Sequence, residues 1–126
     1  VLYRRILAPV DGSPTSNAGL REAARIARDQ RAKLRIVHLV DEKMLYGFGD
    51  GTVDVTPVLA SMKRAGMRIL SKAVKLASGR GLKPEWELSE NVTERVADVL
   101  VRYAKQWRAD LIVMGTHGRR GVNRML

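Results

Sequence analysis

The residues able to do chemistry gather at two places in the chain. Asp11-Gly12-Ser13-Pro14 ends one short apolar run, and Gly115-Thr116-His117-Gly118-Arg119-Arg120-Gly121 follows another. Glycines at 115, 118 and 121 present no Cβ to a phosphate and accept the positive φ angles that turn successive N–H groups inward as an anion nest. A helix starting after this loop would add the positive end of its dipole, and Arg119 and Arg120 would add charge. The same glycines would equally serve a plain strand-to-helix turn, so Gly-x-x-Gly taken alone is a weak motif. Asp11 is open to two roles: a hydrogen bond to an adenine or ribose group, or a cap and brace for the Gly12 turn.

Other chemistries lose ground. His38 lies in an apolar run and reads as a hydrogen-bonded core histidine, whereas His117 suits a phosphate contact or a solvent-facing position equally. Two separated histidines make no metal site. The chain has no cysteine, which removes disulfides, thiolate ligands and cysteine nucleophiles. There is no Walker A motif, no Gly-x-Gly-x-x-Gly after the first apolar run and no Gly-x-Ser-x-Gly elbow. Beyond Asp11 no general base or carboxylate cluster for Mg²⁺ stands out, so hydrolysis of any bound nucleotide is expected to be slow at most.

These residues need elements to hold them. Ile6, Leu7, Ala8 and Val10 predict a buried strand over 3–10, ended by the Asp11 turn. Small and apolar residues at helical spacing predict a helix over 15–31, capped by Ser13 or Thr15 with Pro14 in its first turn. A second strand is predicted over 34–40, then an aperiodic glycine-rich loop over 41–56. Leu59, Met62, Ile69, Leu70, Ala73 and Leu76 predict a helix over 57–78, closed by Gly79 and only modestly weakened by Gly66. A third strand follows over 83–88, and Asn91-Val92-Thr93-Glu94 has the spacing of a capping box that opens a third helix. Val96, Val99, Leu100, Tyr103 and Trp107 form that helix's stripe, and a fourth strand spans 110–114.

Such β-α alternation predicts an α/β, Rossmann-like doubly wound, mostly parallel sheet with helices on both faces. Ligands of such sheets sit beyond the carboxyl ends of the strands, where the winding reverses. If strands one and four are neighbours, Asp11 faces Gly115 to Gly118 across a crevice.

Twenty-three Lys and Arg stand against 13 Asp and Glu, a formal charge of +10 that favours phosphate-bearing partners: nucleotide, nucleic acid or anionic lipid. Most of the cations, among them Arg21, Arg25, Arg28, Lys63, Arg64, Lys72 and Lys75, are spread along helices and read as solvated faces. Arg119, Arg120 and Arg124 are denser and follow the glycine loop. Few aromatic residues and no recognised nucleic-acid motif make nucleic acid a minor alternative. With 126 residues, 45% of them hydrophobic, and no linker, residues 1–126 read as one domain. No leader pattern opens the chain and charge breaks every apolar run, so a cytoplasmic location without membrane contact is expected.

Three blocks, Arg5-Ile6-Leu7-Ala8-Pro9-Val10-Asp11-Gly12-Ser13, Val37-His38-Leu39-Val40-Asp41 and Asp110-Leu111-Ile112-Val113-Met114 running into the glycine loop, resemble the universal stress protein family in order and spacing. The resemblance spans the whole chain. It implies the strand order 3-2-1-4-5 and an adenine nucleotide, ATP or AMP or ADP with Mg²⁺, between Asp11 and the glycine loop. Carried over residue by residue, Pro9, Asp11 and Leu39 take the adenine and ribose side, Leu39 through its backbone. Gly115, His117, Gly118 and Arg119 take the phosphates, and Val10 and Met114 complete the site.

The family's motif continues, nine residues after Gly-x-x-Gly, with Gly-Ser or Gly-Thr. Counting from Arg119 runs past Leu126, so that pair, the following helix and the fifth strand are expected to lie outside these residues. Strand four would then be an open apolar edge. Family members often dimerise through their last strands, which implies a homodimer for the full-length protein. The functional expectation is a nucleotide-selected regulatory protein of the stress response, recognised by partner proteins. The alternative is the family's nucleotide-free branch, which acts through protein contacts.

Overall fold

A computed structural model describes residues 2–47, 53–91, 94–115 and 122–125. Ile6, Leu7 and Ala8 are wholly buried in β1 (Arg5–Pro9), because β1 lies at the centre of the sheet and is covered on both faces. A buried parallel strand has no solvent side on which to alternate, which explains its unbroken apolar run. β2 (Lys33–Asp41) pairs with it in parallel on one side, Ile6 opposite Leu34, and β4 (Leu111–Gly115) on the other, Ile6 opposite Leu111. β3 (Glu85–Asn91) continues the parallel sheet beyond β2.

Alternation along the strands sorts the core into two layers. Ile6, Ala8, Leu34 and Ile36 meet Leu20 and Ala24 of α1 (Pro14–Gln30) and Leu70 and Ala73 of α2 (Thr56–Ala77). Leu7, Val37 and Ile112 face the other way, onto Leu100, Ala104 and Trp107 of α3 (Val96–Trp107). The Trp107 ring carries the Arg5 and Arg35 guanidinium groups at 4.4 and 4.8 Å from its centroid, close enough for cation–π attraction. Arg35 also bonds Glu85 at 2.7 Å and the Tyr103 hydroxyl at 3.1 Å, tying β2, β3 and α3 together.

Three expectations needed correction. Asn91 does not cap α3: it is the last residue of β3 and pairs with Asp41, while α3 begins at Val96 after an extended Arg95 whose side chain makes no cap. Ladder pairing with β2 along the full length of β3 outweighs a local capping pattern, and Thr93 lies outside the described residues. The stretch 41–56 is not all irregular, since Glu42–Gly47 forms a 3₁₀ helix directly after β2.

The β4 edge, expected to stand open, is also covered. β5 (Val122–Met125) pairs antiparallel with β4, Gly115 opposite Val122, giving the order β3-β2-β1-β4-β5. An antiparallel return needs only a short connection, whereas a parallel one would need a crossover helix, and it covers the β4 edge that would otherwise stand open. Among the described residues the next element after β4 is therefore a strand, where the sequence had suggested a helix start.

Candidate functional site

The turn between β1 and α1 is built from side chains of its own sequence. Ser13 is the N-cap: its Oγ accepts from the Ser16 N–H at 3.1 Å, and Pro14 occupies the first helical turn. Asp11 Oδ1 accepts from the Ser13 N–H at 2.9 Å, which braces the turn, and Gly12 between them takes φ +84°. The Asp11 N–H in turn donates to Ser16 Oγ at 3.0 Å, and Ser16 is buried. The structural role considered for Asp11 is thus realised, and its position at the sheet's carboxyl end is fixed by it.

α1 then runs unusually close to the end of β4. A Cβ on Gly19 would lie 2.5 Å from the Gly115 nitrogen, and one on Gly115 would lie 1.9 Å from the Thr15 carbonyl oxygen. Only glycine at both positions lets the two backbones meet, and this contact sets where β4 delivers the start of the glycine loop.

Between these elements, on the α3 side of the sheet, lies a crevice of about 260 Å³ at the carboxyl ends of β1, β2 and β4. Of the residues assigned to the site from the sequence, Pro9, Val10, Asp11, Leu39, Met114 and Gly115 line it. β1 and β4 are neighbours, so Asp11 and Gly115 do face the same opening. His117, Gly118 and Arg119, the remaining predicted residues, lie outside the described residues.

Val37 and His38, from the 37–40 block that the resemblance places beside the nucleotide, line it too, and so do Ser16, Val96 and Leu100, which sequence reasoning did not single out. The signal for Val96 and Leu100 was their i, i+4 spacing at the start of an apolar stripe, which was read only as core. His38 behaves as the core histidine it resembled. Its Nδ1 is 2.8 Å from the Val10 carbonyl oxygen, and since a carbonyl only accepts, Nδ1 carries a proton. Its ring lies close to Gly66 of α2, and His38 also lines the crevice.

The walls are mostly apolar, with Asp11, Ser16 and His38 as polar residues, an arrangement that suits a flat apolar group with a few hydrogen-bonding positions. Among the described residues, no group of three or more His, Cys, Asp or Glu is placed to hold a metal ion. Among them too, no helix is long and apolar enough to cross a membrane.

The sequence matches the Universal stress protein family over residues 2–126. A universal stress protein of Methanocaldococcus jannaschii is 34% identical over 126 residues, covering 99% of this chain and 71% of its own. Among solved structures, a universal stress protein family member from Burkholderia pseudomallei superposes with TM-score 0.79 at 35% identity, over 91% of this chain and 83% of that one. A universal stress protein solved in complex with cAMP superposes with TM-score 0.60 at 26% identity, over 96% of this chain and 78% of that one. With the parallel 3-2-1-4 sheet, the crevice at its carboxyl end and a match along nearly its whole length, the chain belongs to the universal stress protein family.

Proposed function

We propose that this protein binds ATP, or AMP or ADP, as a regulatory ligand in the crevice between Asp11 and Gly115, and acts in the cytoplasmic stress response. The observation that carries the reading is the convergence of Pro9, Val10, Asp11, Leu39, Met114 and Gly115 on one apolar-walled opening at the winding reversal of the sheet. A relative at 26% identity solved with cAMP supports an adenine nucleotide as the ligand class.

In this reading the adenine lies against Pro9, Val37 and Leu39, with Val96 and Leu100 of α3 as the opposite wall. At about 260 Å³ the crevice is smaller than the roughly 300–1,000 Å³ of pockets that enclose a whole drug-sized ligand. It therefore suits a nucleoside, with the phosphates and any Mg²⁺ at the open mouth, where the chain of Gly115 continues into His117, Gly118 and Arg119. Asp11 Oδ1 is engaged with the turn, so the nucleotide contact uses the carboxylate as a group already locked in place.

The protein is a switch in this reading, not a dedicated enzyme: nucleotide shifts the population toward the state, a homodimer of the full-length protein included, that partners recognise. The nucleotide-free branch is kept as a second reading by one observation, that the Asp11 carboxylate braces its own turn, which is all a purely structural aspartate would do. Calorimetric titration of the nucleotide-stripped, full-length protein with ATP and Mg²⁺, repeated with AMP, separates the two. Saturable binding at one site per chain is the expected result. Absence of any heat of binding with either nucleotide would leave the protein-contact reading.

A further inference from the structure

On the opposite face of the sheet from the crevice, α1 and α2 diverge around a groove of about 480 Å³. Its floor is apolar, formed by Val10, Ile69, Ala73 and Leu76, and its rim carries Arg21 from α1 with Arg68 and Lys72 from α2. None of these three cations has an ion-pair or hydrogen-bond partner among the described residues. The contrast with their surroundings is sharp: Arg25, one turn along α1 from Arg21, is paired with Glu22 and Asp29, and Lys63 of α2 with Glu90.

Arg68 and Lys72 are four residues apart on one helix, the spacing at which like charges oppose each other. Arg21 adds a third positive charge from across the groove. Three unneutralised cations converging over an apolar floor form a field that only an anion relieves, and Asn17 stands at the same rim to donate or accept a hydrogen bond. A guanidinium fork opposite an ammonium recognises phosphate oxygens by paired, charge-assisted hydrogen bonds.

We propose that this groove is a second ligand site, for a small phosphate-bearing molecule whose apolar part rests on Ile69 and Leu76 and whose phosphate is held by Arg21, Arg68 and Lys72. The site is separate from the nucleotide crevice but shares the β1–α1 turn with it: Val10 lines both, and Gly12 lies on the groove side of the turn that Asp11 enters from the crevice. A phosphate seated here therefore reports to the turn without occupying the crevice. The existence of the groove site does not depend on the nucleotide reading.

The test uses pyrophosphate as the probe, followed through backbone amide shifts of the full-length protein at fixed ionic strength. The expected result is saturable shifts at Gly12, Asn17, Arg21 and across 65–76. R68Q/K72Q should weaken this binding by at least about tenfold, since hydrogen bonds to charged groups are lost. K83Q/K105Q, which removes the same charge from exposed lysines elsewhere, should change it less than about twofold. All four positions are at the surface, and circular dichroism checks that the fold is kept. Equal weakening in the two variants would overturn the proposal in favour of the diffuse field of the +10 chain. Shifts confined to Asp11 and Gly115 would overturn it in favour of phosphate binding in the crevice alone. An R68Q/K72Q-sensitive association with phosphatidic acid vesicles, without pyrophosphate binding, would replace the small molecule with a lipid surface. AMP titrated into R68Q/K72Q should bind as in the wild type, which keeps failure of the groove distinct from failure of the nucleotide site.

Discussion

Replacing Gly19 with alanine sets two opposing terms against each other, and the geometry decides between them. On helix propensity alone, alanine is better than glycine by about 1 kcal/mol at an interior position of α1. Against this, the added Cβ arrives 2.5 Å from the Gly115 nitrogen and 2.9 Å from the Met114 carbonyl carbon. Both obstacles are backbone atoms of a paired sheet strand, which cannot rotate away as a side chain would. To restore an ordinary contact of about 3.5 Å, α1 and β4 must part by roughly 1 Å, and forced separations of this kind cost about 1–3 kcal/mol. Because the strand is paired with β1 at Leu111 and Ile112 and with β5 at Met114 and Gly115, the upper part of that range applies, and the net expectation is a loss of about 1–2 kcal/mol. For a chain of this size that lowers Tm by about 3–10 °C. Urea and thermal unfolding of the wild type and Gly19→Ala measure it directly. The same separation moves Ser16 and Gly115, so affinity for nucleotide should fall with stability. A variant as stable as the wild type, or more so, would refute the reasoning, because it would mean that the close approach of α1 to β4 does not constrain the fold.

Other outcomes follow from the same structure. Asp11→Ala should weaken AMP more than inorganic phosphate in parallel titrations; equal weakening of both would reduce Asp11 to its brace on the Ser13 N–H. Gly118→Val should abolish nucleotide binding while leaving the unfolding transition in place, since it sets a branched side chain where phosphate would lie; unchanged affinity would remove the loop from the site. Burial and the hydrogen bond to Glu87 push the Tyr103 hydroxyl up to about 12 from an ordinary 10.0. Folded and unfolded chains both keep that proton below pH 10, so the contribution is full there. Between about pH 10 and 12 only the folded chain holds it, and stability falls as pH rises. Tyr103→Phe should flatten that part of the denaturant-midpoint profile, and an unchanged slope would show that Tyr103 does not titrate differently in the two states.

The sequence alone determined the features whose physics is local. The Ser13 cap, Pro14 in the first turn and the Asp11-Gly12 turn are interactions between residues at most three apart, and they form as their spacing indicates. The unbroken run Ile6-Leu7-Ala8 marked a strand buried on both faces, and the β-α alternation then left few sheet orders, among which 3-2-1-4 is the one formed. Tertiary structure decided whatever depends on residues far apart in the chain. Gly19 reads as an ordinary small residue in α1 until Gly115, 96 positions later, is seen against it. Asn91 has a capping pattern, yet long-range pairing with Asp41 takes it into β3. Val122 to Met125 carry no strand signal strong enough to outweigh a family expectation, and only the open β4 edge makes them one. Val96 and Leu100 become crevice walls, and Arg21, Arg68 and Lys72 become a cationic rim, because helix packing brings together faces that the linear sequence shows only as stripes. Spacing reveals which face a residue shares; what that face meets is set by the packing of the whole chain.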